Sequence, residues 1–160
     1  MVEAALILPV IVLLILGILE FGLLFTSYST TTAASRSGAR LAATAYSQAG
    51  TSTTAQNSAA TQIAAATAAD LEVLNNAVPL GMVIYKVDPS STTGAPIGGY
   101  PGANMTGGCT SPCIKYTWNN TTKAFTKTSG SWTNADAYGV VVDSIGVYVQ
   151  ARHSYCLLYT

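Results

Sequence analysis

Hydrophobic and polar positions divide this chain into three unequal grammars. Residues 4–25 are apolar on every side, with only Pro9 and Glu20 interrupting the run. A helix of that length rises about 33 Å, enough to cross the hydrocarbon of a bilayer. Having no polar face, it must sit in lipid or among similar helices. The helical pattern continues through residues 26–46, but the residues become Thr, Ser, Ala and Gly. One helix over residues 2–46 would be about 65 Å long.

Within that continuation Arg36 and Arg40 stand four apart and share a face. Ala33/Ser37, Ala34/Gly38 and Ser35/Ala39 are small pairs at the same spacing, which let neighbouring helices approach closely. Residues 48–54 form a turn centred on Gly50, with Thr53 or Thr54 as candidate N-cap. A second helix is predicted over residues 55–77, where Ile63, Thr67, Leu71, Leu74 and Val78 make a docking stripe. Pro79, Leu80 and Gly81 are expected to end it.

Beyond Gly81 the pattern turns to β. Residues 82–87 read as a strand and residues 88–105 as a long Gly/Pro/Ser/Thr loop. Ile114, Tyr116 and Trp118 alternate with polar neighbours and so share a sheet face. Residues 119–122 turn the chain into a hairpin strand over 123–128, followed by a loop around Gly130. The strongest strand signal covers residues 139–152, with Ile145, Val147, Val149 and Ala151 on one face. The predicted fold class is α+β: a long N-terminal hydrophobic helix, a second helix and a small C-terminal antiparallel sheet. The predicted division is 1–47 for a transmembrane or filament-core helix and 48–160 for an exposed globular domain.

Composition sharpens this picture. Charged residues are 9% of the chain, with seven basic and seven acidic side chains in balance. A neutral, charge-poor surface argues against nucleic-acid binding, which needs a basic face. It also lacks the net charge that keeps monomers apart, so assembly is tolerated or wanted. No Lys or Arg precedes the apolar run, and the run is too long for a signal peptide. It reads as a retained segment whose basic leader has been removed or lies outside this sequence.

Little catalytic chemistry is legible. His153, the one histidine, has no carboxylate near it in sequence and no metal-ligand spacing, so it reads as structural or exposed. Cys109 and Cys113 resemble half a zinc site whose second half is absent. A short disulfide loop between them, with Cys156 left over, is the expectation; Cys156 could bond either one if the last strand passes the loop. The Gly-rich stretch 94–108 lacks the ending of a phosphate cradle. No catalytic residues, metal ligands or cofactor are assigned, and the chain is not expected to be an enzyme. Asn104, Asn119 and Asn120 match the N-glycosylation pattern, and Thr51, Thr53 and Thr54 are candidate carriers of O-linked sugar.

Glu20 needs a partner, because an ionised carboxylate within an apolar segment costs a few kcal/mol, on the order of 3. Arg36 is about 24 Å up the same helix, too far for an internal pair. A staggered neighbouring copy could offer its Arg36 or Arg40, or the hydroxyls of Thr26, Ser27 or Ser29. Alternatively, Glu20 snorkels at the end of the run.

Three blocks, Val2-Glu3-Ala4-Ala5-Leu6-Ile7-Leu8-Pro9, Gly17-Ile18-Leu19-Glu20-Phe21-Gly22 and Ala33-Ala34-Ser35-Arg36-Ser37-Gly38-Ala39-Arg40, resemble the TadE-like family. Its members are pilins and pseudopilins of the tight-adherence (Tad) machinery, a branch of the type IV pilus group. Residues 143–153 also look like the final region of some members. In processed prepilins the glutamate commonly stands fifth, whereas here it is third.

The resemblance implies a precursor held in the inner or cytoplasmic membrane, trimmed by prepilin peptidase and handed by the pilus assembly machinery into a helical homo-oligomer at the cell surface. It implies assembly roles for Glu3, Pro9, Glu20, Arg36, Gly38 and Arg40. Glu3 would meet the terminal amine of a neighbouring subunit. Two other readings stand beside a major structural pilin: a minor pseudopilin that primes the filament, and a single-pass anchor presenting an extracytoplasmic binding module.

Overall fold

A computed structural model describes residues 2–50, 52–107, 109, 112–132 and 144–155, with side chains from Ile7 onward. The first helix, α1, is continuous over Val2–Ala49 and contains Pro9. At 1.5 Å per residue it is about 72 Å long. Gly50, at φ 56°, turns the chain in the left-handed region that glycine tolerates.

The second helix, α2, spans Thr53–Leu71. Its N-cap is Ser52, whose side chain accepts from the Ala55 amide, rather than Thr53 or Thr54. Gln56 donates from Nε2 to the Gly50 carbonyl at 2.7 Å, and Thr67 packs on Gly38. The two helices therefore run antiparallel.

The helix ends six residues before the expected boundary. Strand β1 takes Ala77–Lys86, so Val78, Pro79, Leu80 and Gly81 are in the sheet and do not terminate a helix. The physical reason is a partner distant in sequence: Ala77 to Lys86 pair antiparallel with the strand Ile145–His153, here β4. Pro79 is tolerated because the ladder on the other side starts only at Gly81, and a register shift separates the two residues. Leu74 likewise lies outside α2 but still packs against the core.

Strands β2 (Cys113–Asn119) and β3 (Ala124–Ser131) form the expected hairpin. Gly130 belongs to β3 and not to a loop. Its φ of 86° suits glycine, and a Cβ there would meet the Cys113 carbonyl oxygen at 2.1 Å. The sheet order is β3-β2-β1-β4, antiparallel throughout. The expected start of the last strand, at residues 139–143, lies outside the described residues.

Alternation assigns the sheet faces. Met82, Ile84, Ile114, Tyr116, Val147 and Val149 point inward, onto Ala34, Ala42 and Tyr46 of α1 and Ala59, Ala60, Ile63, Ala64 and Leu71 of α2. Trp132 closes this core beside Tyr46, ring centroids 5.0 Å apart. The opposite face carries Val83, Tyr85 and Cys113, covered by Met105 from the long loop. Gln150 pins that loop by accepting from the Met105 amide and donating to the Gly102 carbonyl.

Candidate functional site

The helix that organises the molecule changes role along its length. From Ile7 to Phe25 its large side chains are exposed almost without exception: Leu8 63%, Leu13 69%, Ile18 63% and Phe21 67%. Pro9 is exposed too. From Ala34 onward one face is buried, through Ala34, Gly38, Ala42 and Tyr46. These stand four apart, so a single stripe faces α2 and the sheet. A bare apolar rod thus continues into a helix that is part of the core.

The junction is marked by a cluster that the sequence did not reveal. Glu20 is buried, at 8% exposure, and its Oε1 lies 3.3 Å from Nε2 of His153 at the end of β4. The other ring nitrogen, Nδ1, is 3.5 Å from Ser27 Oγ, which also donates to the Leu23 carbonyl. Glu20 therefore has a partner within its own chain. His153 is correspondingly structural, but by contact with a carboxylate 133 residues away. The available clues were one acid in an apolar run and one histidine in the chain; nothing in sequence joins them.

Arg36 and Arg40 both lie exposed on the outer face of α1. They line a shallow depression with Phe25, Tyr28, Thr32 and Ser37. Gly38 faces the other way. A Cβ there would approach Thr67 Oγ1 to 2.6 Å and the Val147 side chain to 3.3 Å. The close approach that its small size permits is made to α2 and β4 of the same chain. Ser35 adds a hydrogen bond from its hydroxyl to the Val147 carbonyl at 2.6 Å, so α1 also guards the edge of β4.

Between α1 and β4 runs a groove lined by Tyr28, Thr31, Arg36, Tyr100, Tyr148 and Gln150 among others. Tyr85 meets Tyr100 edge to face and Tyr100 meets Tyr148 at a tilt beside it, at centroid distances of 5.9 and 5.0 Å. Tyr85 donates its hydroxyl to the Gly94 carbonyl, and burial with the Tyr100 hydroxyl beside it raises the phenol above its ordinary range.

Cys109 and Cys113 are joined by a disulfide, Cα atoms 5.3 Å apart. Cys156 lies outside the described residues, as does Thr51. Thr53 and Thr54 are exposed in the first turn of α2. Asn104 is exposed and accepts from Arg152 through Oδ1. Asn119 accepts from the amides of Thr121 and Thr122, and Asn120 from Lys123. The Glu3 side chain is not among those described; its backbone is helical. Among the described residues no three His, Cys, Asp or Glu side chains stand together to hold a metal ion.

An exposed apolar rod, a paired acid at its upper end and a basic pair one face around are the features of the first forty residues. Residues 1–40 match the TadE-like protein family. No curated protein and no solved structure matches the chain. The TadE-like match covers the rod and ends at Arg40, within α1, so the sheet and His153 lie beyond it. Over that quarter of its length the chain is similar to TadE-like proteins, and α1 is long and apolar enough to cross a membrane.

Proposed function

We propose that this chain is a structural pilin that polymerises through the apolar part of α1 into a Tad-type filament, with α2 and the sheet outward. One observation carries the reading. Most of the large apolar side chains from Ile7 to Phe25 are bare, while the same helix is firmly built into a folded domain above them. Such a surface needs lipid before assembly and other copies of itself afterwards.

The Glu20–His153 contact sets the base of the domain. Below it, residues 2–19 rise about 27 Å, close to the thickness of bilayer hydrocarbon. Prepilin peptidase and the assembly machinery are the partners this role requires, and no cofactor enters it. Glu3 would act as a register device, its carboxylate meeting the terminal amine of the next subunit; either charge buried alone is unfavourable.

Electron microscopy of purified surface material tests the reading. Continuous filaments built of this chain are expected. A membrane monomer would favour the anchored binding module, and a trace component at filament tips would favour the minor pseudopilin. Glu3→Ala is expected to insert and be trimmed normally yet enter filaments poorly; filament yield equal to the unsubstituted chain would remove Glu3 from assembly.

A further inference from the structure

On a surface with so few charges, each one without a partner stands out. Most described charges are engaged inside the chain. Glu20 meets His153, Lys115 donates to the Met105 carbonyl, Arg152 reaches Asn104, Lys123 reaches Asn120, and Asp88 accepts from Ser90. Lys86 is also partnered. Among the described residues, the side chains of Arg36, Arg40, Asp70, Glu72 and Lys127 have no hydrogen-bond or ion-pair partner.

Four of these five segregate by sign into two patches. Arg36 and Arg40 are exposed on the outer face of α1, beside Phe25 and Tyr28, which are 61% and 69% exposed. Asp70 and Glu72 are exposed at the end of α2, next to Val73 at 68%. Arg36 and Arg40, four apart, share one helix face, whereas Asp70 and Glu72 flank the buried Leu71 on either side of the end of α2; both pairs lie next to bare apolar surface. The antiparallel helices put them level. Thr67 packs on Gly38, so Asp70 lies about one turn below that contact, and Arg36 lies about half a turn below it. Arg36 and Arg40 face away from the core that Gly38 and Thr67 enter, and among the described residues neither makes an ion pair with Asp70 or Glu72.

We infer that Asp70 and Glu72 of one copy dock against Arg36 and Arg40 of the next. The contact joins two different surfaces of the chain, and along a filament it is heterologous. Such contacts propagate head to tail and do not close a dimer. Rim charges of this kind select partner and register more than they add affinity. The inference rests on the filament reading and names the lateral surface that would set neighbours at nearly equal height.

Charge reversal tests it in the full chain. Arg36→Glu/Arg40→Glu and Asp70→Lys/Glu72→Lys each turn two attractions into repulsions, and each is expected to lower filament yield about tenfold or more. Combining all four substitutions is expected to restore it. Lys127→Glu, a charge reversal placed on β3 and half as large, is expected to leave yield unchanged. Membrane content and melting of the detergent-solubilised subunit check folding. If a reversal impairs folding, Arg36→Gln/Arg40→Gln carries the test with a smaller expected loss. Filaments at full yield from both double reversals, no recovery in the fourfold variant, or an equal loss in Lys127→Glu would each overturn this contact while leaving polymerisation intact. No filaments from the unsubstituted chain would instead sink the filament reading.

Discussion

The two halves of α1 share one backbone and almost nothing else. Below Glu20 the helix is Leu, Ile and Val with every side bare; above Ser27 it is Ala, Ser, Thr and Gly with one stripe buried. Large apolar side chains are what lipid or a filament core demands. Small ones are what a sheet and a second helix demand when they pack close. Residue size, more than hydrophobicity, tells the two environments apart: Ala34, Gly38 and Ala42 are buried, and Leu13 and Phe21 are not.

This contrast breaks most readily at Ile63, which is fully buried where α2 meets the core. Ile63→Ala should cost the domain about 2–5 kcal/mol, whereas Leu14→Ala should leave domain melting unchanged. Thermal denaturation in detergent, followed by near-ultraviolet circular dichroism, reads both. Equal effects would mean that the rod is packed into the domain after all.

Glycines offer a second, smaller test. Gly38→Val must displace Thr67 and Val147, for about 1–3 kcal/mol of destabilisation. Nothing lies within 4 Å of a Cβ at Gly22, so Gly22→Ala should not move the domain's melting point. A tolerant Gly38 would contradict the close helix packing described here.

At the border between the halves, His153→Ala removes one of the partners of the buried Glu20. We expect a loss of about 1–2 kcal/mol and faster exchange of β4 amides near Ala151, read by hydrogen–deuterium exchange. An unchanged exchange pattern would show that the pair does not fasten the sheet to the rod.

The smallest effect is alkaline. Burial pushes the Tyr116 phenol up to about 12 from an ordinary value of 10, and Tyr85 is raised as well. Between those pH values the unfolded chain has released protons that the folded chain keeps, so stability falls as pH rises above 10. No described tyrosine lies below Glu20, so the apolar half should remain helical while the domain loosens. Circular dichroism from pH 9 to 12, with tyrosinate absorbance alongside, checks the order.

Much of this architecture is legible in the sequence alone. The apolar run, its small-residue continuation, the hairpin between Tyr116 and Phe125 and the alternation of Val147 and Val149 all follow from local periodicity. Such signals are carried by neighbours three, four or two residues away, so a one-dimensional reading recovers them. The end of α2 was not legible, because Val78 and Pro79 continue a helical stripe or break it according to whether Arg152 and Ala151 arrive to pair with them. Nor did the side of Gly38 show: a small residue announces a close approach without saying whose helix makes it. The partner of Glu20 needed the whole sheet, since only the register of β4 on β1 carries His153 down to it. Local pattern determined which segments are helix, strand and membrane-length rod; contacts between segments far apart in sequence decided which charges are satisfied at home and which, at Arg36, Arg40, Asp70 and Glu72, are left facing outward.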